Sequence, residues 1–582
     1  MISRFSSKYF VLLALILSIG ARLYWIPQKA GLYLDESLSI ILSECKNPWA
    51  FTKLFDENKM YTGEEIRNIA WGTSSSFSDA LSDVKQLHID VNDSPHTNLY
   101  YSILRLCLTG TDCSLRDVIN RGCYLNMFFW LFSFFFLYKL LKRLFDDDLV
   151  IAVTLLVTFI STASLSNAMF MRTYCLQETL FIILTYVFVC NYQSIDEQSK
   201  KYNWKDVLPL SLLCSFVLLS GYLAIAYVLM LIGVLAIISW MKDQKRNTVF
   251  LMASFVLSLL LANVFYLKYL EGFSAGSYMA VKCYNILLNY KDFLLDSLKS
   301  TAKVLEYVFM YLLSPFAITF IAVYLLSFQK IRWENFIRND RIATIVFACC
   351  LLWSVSSFFE IPYGNCRYIM SVSPMLALIV AIIIDGVRDS KLRIAAIVFA
   401  CGLLWSFASF IVIPYKEYRY IMSASPMLAL IVPIVINRVH NSKIRTIIIA
   451  ITASAYTAVA FNPLEPNGHL IKQKIEYMYA GEKYPFHDKP RIPVLIYCNA
   501  NEWNITQAIA FFDDSPKYQF VKSYDSLIEN LSKYNHVFIM MEFFEELAVP
   551  GNYKTTFFQN FNNDWFIYSY ELELKNETSP TS

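Results

Sequence analysis

Two adjacent acids, Asp35 and Glu36, stand in the stretch Gly31-Leu32-Tyr33-Leu34-Asp35-Glu36-Ser37-Leu38-Ser39-Ile40. Apolar residues flank them, and an apolar run from about Tyr9 to Ile26, long enough to cross a bilayer, ends just before them. Carboxylates held at a membrane surface can serve as a general base or bind a cation; the plain alternative is a solvated acidic turn. A second group follows in Asp90-Val91-Asn92-Asp93-Ser94-Pro95-His96-Thr97-Asn98-Leu99-Tyr100-Tyr101. Asp93, with Asp90 behind it, is a further acid candidate, and His96, Tyr100 and Tyr101 are candidates for positioning a substrate. A helix cap at Asp93 or Ser94 ahead of Pro95 is the competing explanation. A third group, Phe170-Met171-Arg172-Thr173-Tyr174, puts an arginine at the mouth of an apolar span. Arg172 can grip a lipid phosphate through its planar fork, or it can snorkel to the interface. The fourth group occurs twice, with Arg367-Tyr368 and Arg419-Tyr420 each a few residues after Ile-Pro-Tyr. A Tyr/Arg interface anchor is the alternative there.

These residues need a membrane scaffold, and the composition supplies one. Of 582 residues, 56% are hydrophobic and 17% charged, with a mean hydropathy of +0.42. That is a polytopic membrane protein, not a soluble globule. A net charge of +3, with no dense basic tract, argues against a nucleic-acid partner. The thirteen cysteines are scattered, many of them in apolar runs, and the six histidines show no zinc spacing. A bridge among Cys45, Cys107 and Cys113 is left open. Arg4 and Lys8 ahead of the first apolar run resemble a signal peptide, yet no small-residue cleavage site follows. Ala21-Arg22-Leu23-Tyr24-Trp25 reads as an interfacial exit, so a retained first helix is expected.

Thirteen apolar spans are expected, at about 9–26, 122–141, 149–166, 174–192, 207–220, 222–240, 248–267, 303–326, 342–360, 368–385, 394–413, 420–436 and 445–461. Only Gly221-Tyr222 separates the fifth from the sixth. With a cytoplasmic N-terminus, every inside segment is basic, from Arg4 and Lys8 through Lys139, Lys142 and Arg143 to Arg438, Lys443 and Arg445. The positive-inside rule thus places Asp35 outside; the expected localisation is multi-pass in the plasma (inner) membrane, with a cytoplasmic N-terminus. The long outside regions are 27–121, 268–302 and the stretch after about Asn462. The last, 462–582, is polar, with strand patterns at 494–497, 537–540 and 565–574 and helical patterns at 506–512 and 526–534. It reads as a small extracytoplasmic α/β domain following a transmembrane domain of 1–461; it has no nucleotide-binding glycine motif.

The late spans contain a tandem repeat. Two-helix units at 341–392 and 393–444 share a period of 52, and aligning 347–398 with 399–450 gives 32 identities in 52 positions. Each unit is one outward helix, a short outside loop and one inward helix, so inserting one unit preserves all downstream topology.

In order, these motifs are Gly31-Leu32-x-x-Asp35-Glu36-Ser37-x-Ser39, Pro95-x-x-x-Leu99-Tyr100-Tyr101, Arg172-x-Tyr174 and Arg367-Tyr368-Ile369 with Pro374. The series resembles the membrane-embedded GT-C superfamily glycosyltransferases that take sugars from polyprenyl-phosphate donors. The protein O-mannosyltransferases and lipid A aminoarabinose transferases belong to it. The resemblance covers about residues 1–460. It departs from the family pattern where a double proline is expected near Pro95 and where an acid is expected before Arg172. It implies a GT-C type α-helical polytopic membrane protein, with Asp35 as general base for inverting transfer on the outer face. Glu36 and Asp93 would orient the acceptor or bind a divalent cation. Arg172, Tyr174, Arg367 and Arg419 would sit at the donor phosphate, and His96, Tyr100 and Tyr101 would position acceptor or donor. No nucleotide is required, because phosphate is the leaving group, and the acceptor is a glycolipid, polysaccharide or protein. Two other classes compete. One is an O-antigen ligase or polysaccharide polymerase, whose large outside loop usually comes late. The other is a transporter or lipid flippase, which calls for mid-membrane charges and broken helices; nearly all charges here fall at span ends. In-frame deletion of residues 347–398 is expected to leave membrane expression and part of the transfer activity intact. Complete loss of transfer at normal expression would contradict a single working copy.

Overall fold

A computed structural model describes residues 2–29, 31–72, 75–91, 96–199, 202–274, 312–327, 422–437, 441–461, 489–498, 502–512, 517–542, 547–560 and 567–575. Isolated positions between 394 and 406 and at 439, 514 and 515 are also described. The chain divides into two compact units. The first comprises 1–25, 94–99 and 126–471, and the second comprises 26–93, 100–125 and 472–582.

The first unit is helical. Among the described residues, six helices are long and apolar enough to cross a membrane: Tyr9–Gln28, Leu115–Leu144, Tyr174–Asp196, Ala224–Met241, Lys245–Phe265 and Ser442–Ala460. The expected count of thirteen also takes in spans outside the described residues, such as 342–360 and 368–385. Helix α1 (Ile2–Trp25) packs on α7 (Asp148–Ile160), and α7 packs in turn on the helix Ser442–Ala460. The α1 end is tied down where Trp25 Nε1 donates to the Ala460 carbonyl at 2.7 Å.

Among the described residues, breaks at Ser161 and Gly221 interrupt apolar runs. The expected span 149–166 is a bent pair, α7 and α8 (Thr162–Met169), at 52° to each other. Ser161 has extended backbone, and its Oγ donates to the Thr158 carbonyl and accepts from Ser164 N. A serine so placed caps a new helix instead of continuing the old one. The second break is at Gly221. Helix α10 (Trp204–Leu218) stops there and α11 (Ala224–Met241) begins, so the apolar run 207–240 is two helices. Gly221 has φ +155°. Both α10 and α11 pack on α12 (Lys245–Phe265). Carbonyls left open at the end of α10 are taken up by hydroxyls, Leu219 by Thr97 and Ser220 by Thr173. In a bilayer such carbonyls have no water to turn to.

The second unit contains a five-stranded sheet of order β2-β1-β3-β5-β4. Its strands are β1 (Val494–Tyr497), β2 (Tyr518–Val521), β3 (His536–Glu542), β4 (Tyr553–Asn560) and β5 (Ile567–Leu574). β1 is parallel to β2 and β3; β5 is antiparallel to β3 and β4, with a register shift between Thr555 and Phe557. β3 is apolar without interruption from Val537 to Met541 and buried on both faces; by the two-residue period of a strand, Val537, Ile539 and Met541 face one side. There they meet Leu527 and Leu531 of the helix Tyr524–Leu531, together with Leu495, Val521 and Leu572. Strands β1, β3 and β5 and both helical patterns agree with the sequence reading; β2 and β4 were not anticipated.

On β2, Phe520 stacks flat on Phe55 at 3.9 Å between centroids, with Phe51 and Tyr61 edge-on. Tyr61 also forms an antiparallel bridge to Tyr518, adding a residue of the first loop to the edge of the sheet. The first-loop helices are α2 (Leu34–Ser43), α3 (Gly63–Trp71), α4 (Phe77–Ile89) and α5 (Asn98–Leu108). Capping boxes at Thr62/Glu65 and Ser76/Asp79 start α3 and α4. Arg105 joins the helices: its guanidinium meets Glu44 at 2.7 Å and Asp83 at 2.8 Å, and donates to Ser75 Oγ at 2.5 Å. Burial pushes the Glu44 carboxyl above the usual carboxylate range, against the pull of Lys46 and Arg105. Gly72 ends α3 at φ +51°, and a Cβ there would lie 1.8 Å from Glu44 Oε2. Gly72→Ala is therefore expected to displace Glu44 from Arg105 and lower stability by about 3 kcal/mol, the scale of a broken buried charge network. Thermal unfolding in detergent checks this.

Candidate functional site

The acids are placed by a turn that follows the first membrane span. After α1 the chain makes one tight turn, Ile26–Gln28, and reaches Lys29. Lys29 and Glu36 are a buried ion pair, with Nζ 3.0 and 2.8 Å from the two carboxylate oxygens and side chains 2% and 0% exposed. Glu36 Oε2 also accepts from Tyr33 N at 2.7 Å, satisfying a donor at the start of α2. The Arg116 guanidinium donates to the carbonyls of Ile26 at 3.3 Å, Pro27 at 3.2 Å and Lys29. Both acids thus lie in the first turn of α2 but in different settings. Glu36 is fully engaged within the fold, whereas Asp35 is half-buried.

Neither Lys29 nor Arg116 was singled out in the sequence. The only hint at Lys29 is a lone cation in the apolar stretch Ile26-Pro27-Gln28-Lys29-Ala30-Gly31-Leu32; Arg116 gave none, lying about 90 positions from the carbonyls it holds. Tyr100 and Tyr101, in the same unit, have their rings buried and packed edge-to-face at 6.3 Å. Cys45, Cys107 and Cys113 are free thiols. Burial pushes the Cys45 thiol up to about 12. Asp93 lies outside the described residues.

In the helical unit, Arg172 sits in the turn between α8 and α9 (Tyr174–Asp196). Every side of that turn is fixed. Asn126 Nδ2 donates to the Phe170 carbonyl at 2.8 Å, and Arg172 N donates to the same oxygen at 2.7 Å. Thr173 Oγ1 donates to the Ser220 carbonyl at 2.8 Å. Phe170 and Tyr174 stack at 5.9 Å. Arg172 is 6% exposed, far from the free snorkelling of an interface anchor. Ser423 Oγ donates to the Tyr174 carbonyl at 3.0 Å. That serine is four residues beyond Arg419 in the sequence, so an interior segment of the second repeat copy is seated on this turn. Arg419 and Arg367 themselves lie outside the described residues. His96 is half-buried beside Thr97 and Asn98, and Asn98 Nδ2 donates to the Phe265 carbonyl at 2.8 Å.

Two buried charges in this unit escaped the sequence reading. Arg22, expected at an interfacial exit, turns inward. It stacks on Trp130 at 3.9 Å and donates to Ser18 O, Phe159 O and Ser164 Oγ. The break at Ser161 is the reason: it frees the Phe159 carbonyl, and Arg22 supplies the donor. Glu178 accepts from Asn167 Nδ2 at 2.9 Å and is wholly buried.

No protein-family model and no curated protein matches the chain. Among solved structures, it is similar to the crystal structure of ArnT from Cupriavidus metallidurans bound to undecaprenyl phosphate. The match has 10% sequence identity, spans 97% of each chain and has a TM-score of 0.42.

The Lys29–Glu36 pair makes a sharp expectation. Lys29→Met leaves a buried carboxylate without its cation and is expected to cost about 3–5 kcal/mol. Lys29→Met with Glu36→Gln, which removes both charges, is expected to recover most of that loss. Unfolding midpoints of the three proteins measure it.

Proposed function

We propose that this chain is an integral-membrane glycosyltransferase that moves one sugar from a polyprenyl-phosphate donor to a glycolipid, polysaccharide or protein acceptor on the outer face of the membrane. The observation that carries the reading is the placing of Asp35. It stands next to a carboxylate locked by Lys29, in the first turn of a helix that begins nine residues after the first membrane helix ends. Glu36 is wholly buried against Lys29 and Tyr33, whereas Asp35 keeps part of its surface exposed, which suits it to meet an acceptor hydroxyl and take its proton. In the reaction, Asp35 removes the proton from an acceptor hydroxyl. The freed oxygen attacks the anomeric carbon as the bond to phosphate breaks, and the configuration inverts. Arg172, held in a rigid and largely buried turn, supplies fixed positive charge for the departing phosphate. Arg419, four residues before the seated Ser423, is the arginine of the late loop assigned to the same role, and Arg367 is its counterpart in the first copy. Asp93 is proposed to orient the acceptor, and His96, Tyr100 and Tyr101 to position acceptor or donor.

A transporter has one observation in its favour: the bent α7–α8 pair with buried Arg22 and Glu178. Those charges are bonded to groups of the break itself and its neighbours, which is the pattern of a structural repair. Asp35→Asn decides between the readings. Purified in detergent, it is expected to fold and insert normally while transfer from a polyprenyl-phosphate sugar falls at least about 100-fold, the scale of general-base catalysis. Near-normal turnover would contradict the assignment, and lipid-linked sugar movement across vesicles without transfer would favour the transporter.

A further inference from the structure

We infer that Glu502, in the C-terminal region, is a positioning residue that sets the acid-bearing helix α2; this rests on the glycosyltransferase reading above. The Glu502 carboxylate Oε2 accepts two hydrogen bonds from one residue 450 positions away, from Thr52 N and from Thr52 Oγ1, both at 2.8 Å. Thr52 is buried and lies in the turn Pro48–Leu54 that follows α2. Its amide and hydroxyl have their partner in Glu502, and a buried donor without one is strongly disfavoured. Directly after Glu502 the chain forms the short helix Ile505–Ala508, which packs against α2. The Glu502–Thr52 contact therefore fixes the segment beyond the C-terminal end of α2 while its neighbours Ile505–Ala508 brace the side of the helix. Lys29, Glu36 and Arg116 fix the other end.

Further bonds make the attachment rigid. Trp503 meets Trp49 edge-to-face at 5.8 Å. Arg67 of α3 donates to the Phe512 carbonyl at 2.7 Å and pairs with Asp514. Tyr61 N donates to Tyr518 O at 2.8 Å. A helix pinned at both ends holds its first-turn carboxylate in one place. If only the Lys29 end were fixed, α2 would be free to pivot, and a small displacement of a catalytic group is enough to cost a large part of the rate. The C-terminal region on this account acts on catalysis through Thr52 and touches no reacting atom.

The test uses the full-length protein in nanodiscs with four variants: Glu502→Ala, Glu502→Gln, Thr52→Val and the Glu502→Ala/Thr52→Val pair. Glu502→Ala is expected to lower kcat by about 10- to 100-fold with the donor KM unchanged. Glu502→Gln, which keeps a carbonyl acceptor, is expected to restore most of it. The double variant is expected to fall no further than Glu502→Ala alone, because the two residues act through one contact. Hydrogen exchange should quicken at amides of Leu34–Ser43 while β1 and β3 stay protected. Wild-type kcat and exchange in Glu502→Ala, with Asp35→Asn inactive, would overturn the positioning role and leave the function standing. Equal losses in kcat and donor affinity with exchange quickened throughout the sheet would make Glu502 a general stability residue and also overturn it. Activity in Asp35→Asn would instead fault the functional reading.

Discussion

The Lys29–Glu36 ion pair is the interaction on which the candidate site depends. Both side chains are essentially inaccessible, and taking two charges out of water is expensive unless their remaining hydrogen-bonding capacity is met. Here it is met by the Tyr33 amide on the carboxylate. The Arg116 guanidinium meanwhile fixes the backbone on which Lys29 sits. The result is a start of α2 held by buried charge. Such a pair adds little to stability by itself, but it fixes the first turn of α2, on which Asp35 lies.

The helical unit answers a different constraint. An apolar surround cannot satisfy open backbone groups, and this chain opens two runs of them, at Ser161 and at Gly221. Arg22 repairs the first and the hydroxyls of Thr97 and Thr173 repair the second. Thr173 is also the neighbour of Arg172, so the same bond that closes the α10 break fixes the turn carrying the proposed phosphate ligand. Bends in the membrane helices and rigidity at the Arg172 turn are two results of one set of bonds.

Much of the architecture was legible in the sequence because it repeats locally. Apolar runs match the six membrane-length helices among the described residues, Gly221 matches the break between α10 and α11, and the short apolar runs at 494–497 and 537–540 match β1 and β3. Short β2 and the bulged β4 were missed because four residues or an interrupted register leave little periodicity. Ser161 was missed because one serine inside an apolar run is usually a tolerated small residue, and its capping role follows only from the extended backbone it adopts. Arg22 was misplaced for the same reason: its partner carbonyl exists only once α7 breaks. Asp35, Glu36, Arg172 and Tyr174 are candidates by type and spacing. Of the residues that hold their segments, Lys29 reaches only seven positions to Glu36, whereas Arg116, Asn126 and Ser423 act across tens to hundreds of positions and leave no local trace. The Phe55–Phe520 stack is of the same kind; it brings first-loop aromatics onto β2 across most of the length of the chain.

The central claim is that the protein recognises a sugar carried on a polyprenyl phosphate. The most direct measurement is the unfolding temperature of the purified protein against rising concentrations of polyprenyl-phosphate sugars, with the free polyprenol and a nucleotide sugar as controls. A ligand that binds only the folded state raises that temperature in a saturable way. The account predicts such a rise for at least one polyprenyl-phosphate sugar, smaller for polyprenyl phosphate alone and absent for both controls. No shift with any polyprenyl-phosphate compound, or an equal shift with the free polyprenol, would contradict it.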